Sequence, residues 1–312
     1  MRTMTLDGYH VRRPAFADVP AITALIRASE VVDFGAAERT EEDTGVALRT
    51  IDPERDAWVV ADEQERLVAA AAVRAPHPTS LRAFASVHPE HRGRGLGAEL
   101  LTLTEDRAEE VASAAPAGVE VKLTQGVGPH NAAARKLLLS RGYALVRRFW
   151  RMGIDLGGEI APPEWPAGIR AEPLRSGNER AAFDAMEEAF ADHWGFTPHD
   201  YGEWRAWMVD REEFDPSLWL LAFDDDELAA ASLNFVSEGV GWVGVLGVRK
   251  AWRRRGLGLA LLRASFEEFR RRGLQTAVLE VDSENTTGAT RLYERAGMHV
   301  VHHSDAFQKR LR

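Results

Sequence analysis

The chain has 312 residues, 45% hydrophobic and 28% charged, which is ordinary for a globular protein with room for two domains. It contains no cysteine, which excludes disulfides, thiolate metal ligands and an acyl-cysteine intermediate. A net charge of −9 argues against a nucleic-acid partner, so the arginine clusters are local basic patches on an acidic body, better suited to a small polyanion.

The opening Met1-Arg2-Thr3-Met4-Thr5-Leu6 lacks the apolar core of a signal peptide, and no later run approaches a membrane span. A cytoplasmic protein without a membrane partner is expected. Residues 9–13 predict a short strand, and Asp18 is placed to cap a helix carrying Ile22, Leu25 and Ile26. The apolar runs 57–61 and 67–73 flank the polar Asp62-Glu63-Gln64-Glu65-Arg66, predicting a hairpin. A strand over 81–87 enters a basic turn, and the helix after it carries Leu96, Leu100 and Leu103. Val119, Val121 and Leu123 alternate with Glu120 and Lys122 as a half-buried strand. Asn131 begins another helix, with Ala134, Leu137 and Leu138 on one face and Gly142 at its end. Strand segments at 143–147 and 149–154 follow, and the glycines and prolines of 157–168 mark a linker.

The order then repeats. A strand at 169–171 precedes helices over 179–191 and 200–209. Strands at 219–223 and 228–235 flank the acidic tip Asp224-Asp225-Asp226-Glu227. A strand over 242–248 enters a second basic turn, and the following helix shows Leu262, Phe266 and Phe269 on one face. It closes on Arg270-Arg271-Arg272-Gly273, cations at the negative helix end and a glycine stop. A strand at 277–282, a helix from Asn285 to Ala296 and strands at 299–303 and 307–311 complete the pattern. A mixed α/β fold is expected, with domains at 1–156 and 169–312.

The two basic turns are the sharpest signal. Val87, Arg92, Gly95 and Gly97 correspond to Val248, Arg253, Gly256 and Gly258 at one constant spacing of 161 (248 − 87), an internal repeat of domain size. Amides at such a turn, with a helix dipole behind them, bind phosphate oxygens, and glycine lets the anion approach the main chain. A P-loop is excluded by the lack of Gly-Lys-Ser/Thr. The faint dinucleotide pattern Gly93-x-Gly95-x-x-Ala98 is broken in the second copy by Leu261.

Arg92-Gly93-Arg94-Gly95-Leu96-Gly97 and Arg253-Arg254-Arg255-Gly256-Leu257-Gly258 both resemble the acetyl-CoA signature Arg/Gln-x-x-Gly-x-Gly/Ala of the GNAT N-acetyltransferase superfamily. Asn285, Leu292, Tyr293, Gly297 and Met298 resemble its later Asn…Leu-Tyr-x-x-x-Gly pattern; Asn131, Leu137, Gly142 and Tyr143 do so in the first half, with Leu138 at the tyrosine position. The resemblance implies two tandem GNAT-like domains, each a mixed, mostly antiparallel twisted sheet flanked by helices on both faces. It implies acetyl-CoA as co-substrate and a small-molecule amine as acceptor, in a monomer or homodimer. The pantetheine arm would lie between splayed strands along Leu246, Gly247 and Val248. Arg253, Arg254, Arg255, Gly256, Leu257, Gly258 and Leu259 would hold the diphosphate, with Asn285 beside it. Ala85, Ser86, Val87, Arg92, Gly93, Arg94, Gly95, Leu96 and Gly97 would be their counterparts.

Tyr293 matches the family's proton donor to the departing thiolate, although Ala289, Leu292, Tyr293 and Ala296 also form a helical stripe that could simply be core. Lacking this tyrosine, the first half is expected to be catalytically silent. The general base stays open. In tandem relatives of this type the proposed base is a glutamate on the strand entering the turn, where this chain has Trp242; Glu238, Glu280, Asp282 and a water chain are the alternatives. The aromatic and acidic segment Phe190-Ala191-Asp192-His193-Trp194-Gly195-Phe196, with Tyr201, Trp204 and Trp207, either borders a cationic acceptor or packs two helices together. His299, His302 and His303 lack metal-ligand spacing, and no metal is expected. A non-catalytic acyl-CoA sensor or scaffold is the alternative to the enzyme.

Overall fold

The computed structural model describes residues 7–77, 79–116, 118–212 and 214–312; the N-terminal hexapeptide examined for a leader lies outside them. The first half runs β1 (Tyr9–Arg12), α1 (Val19–Phe34), α2 (Glu41–Arg49), α3 (Pro53–Asp56), β2 (Ala57–Asp62), β3 (Leu67–His77), β4 (Ser80–Val87), α4 (Leu96–Ser113), β5 (Lys122–Val127), α5 (Ala132–Ser140) and β6 (Ala144–Asp155). The second runs β7 (Ile169–Pro173), α6 (Glu179–Phe190), α7 (Tyr201–Met208), β8 (Leu220–Asp224), β9 (Glu227–Ser237), β10 (Val240–Val248), α8 (Leu257–Arg271), β11 (Thr276–Asp282), α9 (Ala289–Arg295) and β12 (His299–Arg310).

Side-chain caps set several helix starts. Thr40 caps α2 by accepting the Asp43 N–H at 3.0 Å, and Asn131 caps α5 by accepting the Ala134 N–H at 3.0 Å. Asp18 precedes α1 but does not cap it with its side chain. Its carboxylate accepts from the Ala15 N–H at 2.7 Å and from both Arg12 amino groups at 2.6 and 2.7 Å, a stronger charge-assisted pairing.

The chain forms two units: residues up to Arg148 with His303–Arg312, and Phe149–His302. This differs from an expected border at 156 followed by a linker. Residues 143–154 do not make two short segments; β6 is continuous to Asp155, and its 149–155 stretch pairs with β11 from Phe149↔Asp282 to Asp155↔Thr276. Nor do residues 299–311 make two strands. The 305–310 stretch of β12 pairs with β5, from Asp305↔Val127 to Arg310↔Lys122. Each unit's sheet is thus completed by a strand from the other half of the sequence. The first unit has the order β1-β2-β3-β4-β5-β12, and the second β6-β11-β10-β9-β8-β7. Neighbours are antiparallel except β4–β5 and β10–β11, which are parallel.

Strand periodicity sends alternate residues to opposite faces. In the first unit Trp58, Val60, Ala69 and Ala71 meet Leu96, Leu100 and Ala108 of α4, while Val59 and Ala70 meet Ile22, Leu25 and Ile26 of α1. In the second, Leu221, Ala231 and Leu233 pack under Ala185, Met186 and Ala189 of α6. On the other face Phe266 and Phe269 of α8, both 0% exposed, pack on Ala277 and Leu279; truncating either to alanine costs about 3–5 kcal/mol. A buried polar relay holds α8 to β9: the Asn234 amide donates to Ser265 at 2.9 Å and to the Leu218 carbonyl at 2.8 Å, and Ser232 donates to Asn234 at 2.8 Å. No helix among the described residues is long and apolar enough to cross a membrane.

Candidate active site

In the second unit β10 and β11 pair only at Gly241↔Ala277 and Trp242↔Val278. Immediately beyond, the register of β10 against β9 shifts between Val243 and Val245, a bulge that bends the strand. The two strands then run on without pairing, and both line a cleft of about 950 Å³. Leu246, Gly247, Val248, Arg253, Arg254, Gly256, Leu257, Gly258, Leu259, Asn285 and Tyr293 all line it. Close packing shapes this wall. A side chain at Gly247 would start 2.7 Å from the Met186 sulfur, and one at Gly258 would start 3.0 Å from Leu292.

The turn has its own backbone signature. Arg254 sits at φ 65 and Gly256 at φ 92, matching Gly93 at φ 77 and Gly95 at φ 89 in the first unit. A left-handed arginine is disfavoured by roughly 1–2 kcal/mol. Positive φ at alternate residues makes successive amides converge, ahead of the N-terminus of the 15-residue α8. The three arginines divide the work. Arg253 braces the turn, donating to the carbonyls of Val248 at 3.2 Å and Ala189 at 2.8 Å. Arg254 lines the cleft, and Arg255 turns to Asp224 at 3.1 Å rather than lining it.

Tyr293 is 8% exposed and lies on the same cleft. Burial pushes its phenol up to about 12, so it is protonated across the physiological range. No protein group among the described residues hydrogen-bonds its hydroxyl. Asn285 does not begin a helix directly. Its side-chain oxygen accepts from the Thr287 N–H at 2.9 Å, the Thr287 hydroxyl at 2.6 Å and the Ala289 N–H at 3.3 Å, forming a turn that delays α9 to Ala289.

The base candidates separate. Trp242 stacks on Phe235 at 5.5 Å with the Arg151 guanidinium 4.2 Å over its ring. Neither Trp242 nor Glu238 lines the cleft, whereas Glu280 and Asp282 do. Glu280 faces Arg151 at 3.6 Å, and the Asp282 carboxylate accepts the Glu284 N–H at 2.9 Å. The aromatic segment also divides. Phe190, His193 and Trp194 line the cleft with Phe149, which meets Trp194 at 6.3 Å. Tyr201 and Trp204 instead pack on Phe183 at 5.3 and 5.2 Å, as two helix faces would. Phe149 went unrecognised in the sequence because its strand read as part of the first half.

In the first unit β4 and β5 pair from Ser80↔Lys122 to Ala83↔Gln125 and then part. Here α1 is 16 residues long against 12 for α6, and its last turn reaches the parting strands. Asp33 accepts from Arg92 at 2.7 and 3.0 Å and from the Asn131 amide at 2.9 Å. A side chain on Gly128, just past β5, would meet Phe34 at 2.9 Å and Asp33 at 3.0 Å. Leu138, at the tyrosine position, is 4% exposed.

The family model for the acetyltransferase (GNAT) family matches residues 21–143 and again 180–298. The chain belongs to the GNAT acetyltransferase family. The tandem GNAT arrangement, which in a chain of this length looks most like mycothiol synthase, is borne out along the chain. A mycothiol acetyltransferase of Thermobispora bispora is 32% identical over 90% of this chain and 92% of that protein. One from Streptomyces avermitilis is 35% identical over 70% of this chain and 68% of that protein. Among solved structures, a GCN5-related N-acetyltransferase from Sphaerobacter thermophilus superposes with a TM-score of 0.82 at 36% identity, covering 98% of this chain and 96% of that one. A tandem GNAT protein from the clavulanic acid biosynthesis pathway shares the fold, with a TM-score of 0.72 at 17% identity, covering 97% of this chain and 99% of that one. The GNAT sheet, mixed and mostly antiparallel with helices on both faces, is the one expected.

Proposed function

We propose that the second unit carries the chemistry, moving the acetyl group of acetyl-CoA to a primary amine by direct attack on the thioester. The amine we assign is that of Cys-GlcN-Ins, giving mycothiol, in the cytoplasm. One observation carries this reading: a tyrosine hydroxyl with no hydrogen-bond partner among the described residues shares a cleft with an intact diphosphate turn. The residues fit the co-substrate. Converging amides and Arg254 answer a diphosphate, and the unpaired edge of β10 offers main-chain groups to the amides of a pantetheine arm. A phenol held near 12 is a weak full acid, so Tyr293 serves first as a hydrogen-bond donor to the developing thiolate, which stabilises the transition state.

Thiol release from acetyl-CoA, followed with Cys-GlcN-Ins and a panel of small amines, tests the reading. Turnover with Cys-GlcN-Ins is expected. Release with other amines alone would reassign the acceptor, and CoA binding without release from any amine would make the protein a sensor.

For the first unit we propose a resting state without coenzyme. The Asp33 carboxylate already bridges Arg92 and Asn131, and a bound diphosphate would have to displace a charge of its own sign. Calorimetric titration with CoA is expected to give one equivalent per chain, with a weaker second appearing in Asp33→Ala; two equivalents in the wild type would refute the idea.

A further inference from the structure

The proposed transfer needs a proton acceptor. An α-amine has a pKa of about 8 and arrives largely as ammonium at neutral pH, but only the free amine attacks a carbonyl. The acid and base side chains on the cleft, besides its arginines, are His193, Glu280, Asp282 and Tyr293. The Tyr293 phenol is the donor. Glu280 is opposed by Arg151, and Asp282 holds the turn after β11. His193 differs from all three. Its main-chain N–H donates to the Phe190 carbonyl at 2.8 Å and its ring lies against Phe190 at 4.3 Å, fixing the residue just past α6. Among the described residues no protein group hydrogen-bonds either ring nitrogen, so a nitrogen is left for a ligand.

We infer that His193 is the general base that takes the first proton from the acceptor ammonium, a role that rests on the proposed transfer in the second unit. Burial is the main influence on the imidazole and lowers its pKa from the usual value of 6.5. Arg253, from the turn, lowers it further, and Asp282 and Asp192 pull the other way. The net effect keeps the ring neutral at pH 7 and able to accept. The proton inventory closes. His193 takes one proton from the ammonium and later releases it to solvent. The free amine forms the C–N bond, the C–S bond breaks, and sulfur receives the Tyr293 proton. The second amine proton, shed as the amide forms, restores the phenol, and the third stays on the amide nitrogen.

The test is the pH dependence of kcat/KM for Cys-GlcN-Ins at saturating acetyl-CoA, in the wild type and in His193→Gln. The wild-type rise is expected to have its midpoint below the ordinary imidazole value of 6.5. The variant is expected to lose about 10²–10⁴-fold at pH 7 and to climb tenfold per pH unit to about 8, where the amine deprotonates by itself. Its affinity for CoA should stay within about threefold. A variant profile parallel to the wild type would overturn the inference, as would rate and CoA affinity falling together with an unchanged pH slope, since that marks a packing role. Wild-type inactivity toward every amine would instead bring down the proposed transfer, and the base with it.

Discussion

Replacing Tyr293 with phenylalanine separates a core residue from a proton donor. The ring is 92% buried and packs with Leu292, Ala289 and Met298, so phenylalanine keeps nearly all its apolar contacts. Among the described residues the hydroxyl makes no protein hydrogen bond, so removing it breaks none of theirs. A typical buried hydroxyl bond contributes about 1 kcal/mol, and here that contribution is missing, so the stability change should stay within about 0.5 kcal/mol. Catalysis should respond differently. Losing a proton donor to the leaving group costs about 10²–10⁴-fold in kcat, or roughly 3–5 kcal/mol of barrier. The assay pairs thermal unfolding with turnover at saturating amine and measures CoA affinity alongside. An unmoved Tm with lost kcat supports the donor role. Unchanged turnover would remove Tyr293 from the mechanism, and a Tm drop of several degrees with a modest kcat change would make it core.

Bulky replacements at Gly256 and Gly258 are expected to abolish activity, because the first forces a side chain onto φ 92 and the second drives into Leu292; the same changes at Gly95 and Gly97 should leave most of it, and equal losses would contradict a silent first unit. Asp305 is 2% exposed and carries Arg148 at 2.7 Å as well as Arg135. Burial pushes its carboxyl up, but the arginines outweigh this and hold it below the ordinary range. Its contribution is therefore present above about pH 4 and is lost as pH falls through the depressed value. Asp305→Asn should cost about 2 kcal/mol in denaturant unfolding at pH 7, the scale of a lost hydrogen bond to a charged group, with the gap to the wild type closing in acid; a gap independent of pH would contradict the pairing. Deleting residues 303–312 should unfold the first unit, seen as lost amide protection over 57–87, because β5 loses its partner.

The repeated turns were legible because they combine charge, glycine and position, three signals that coincide by accident only rarely. The hairpin of β2 and β3 and the helices bearing Ile22 and Phe266 were legible from spacing alone. Strand partners were not. Periodicity reports which face of a strand is apolar but not whose edge it joins, so the expected border at 156 follows the end of β6, whereas the units divide within that strand, after Arg148. The roles of Asp33 and His193 were hidden for a related reason. Asp33 reads as the polar face of a helix until Arg92 and Asn131 are seen beside it. His193 reads as one aromatic among many until Tyr201 and Trp204 are found packing elsewhere.

The pairing of residues 305–310 with β5 bears on how the chain is made. A ribosome delivers β5 long before its partner stretch, 305–310. The first unit therefore waits with an open sheet edge until 305–310 emerge, and the second unit, whose borrowed strand has already emerged, is free to consolidate first. The usual order of vectorial folding is inverted, and a chain broken off before residue 305 would lose the edge partner of its first unit.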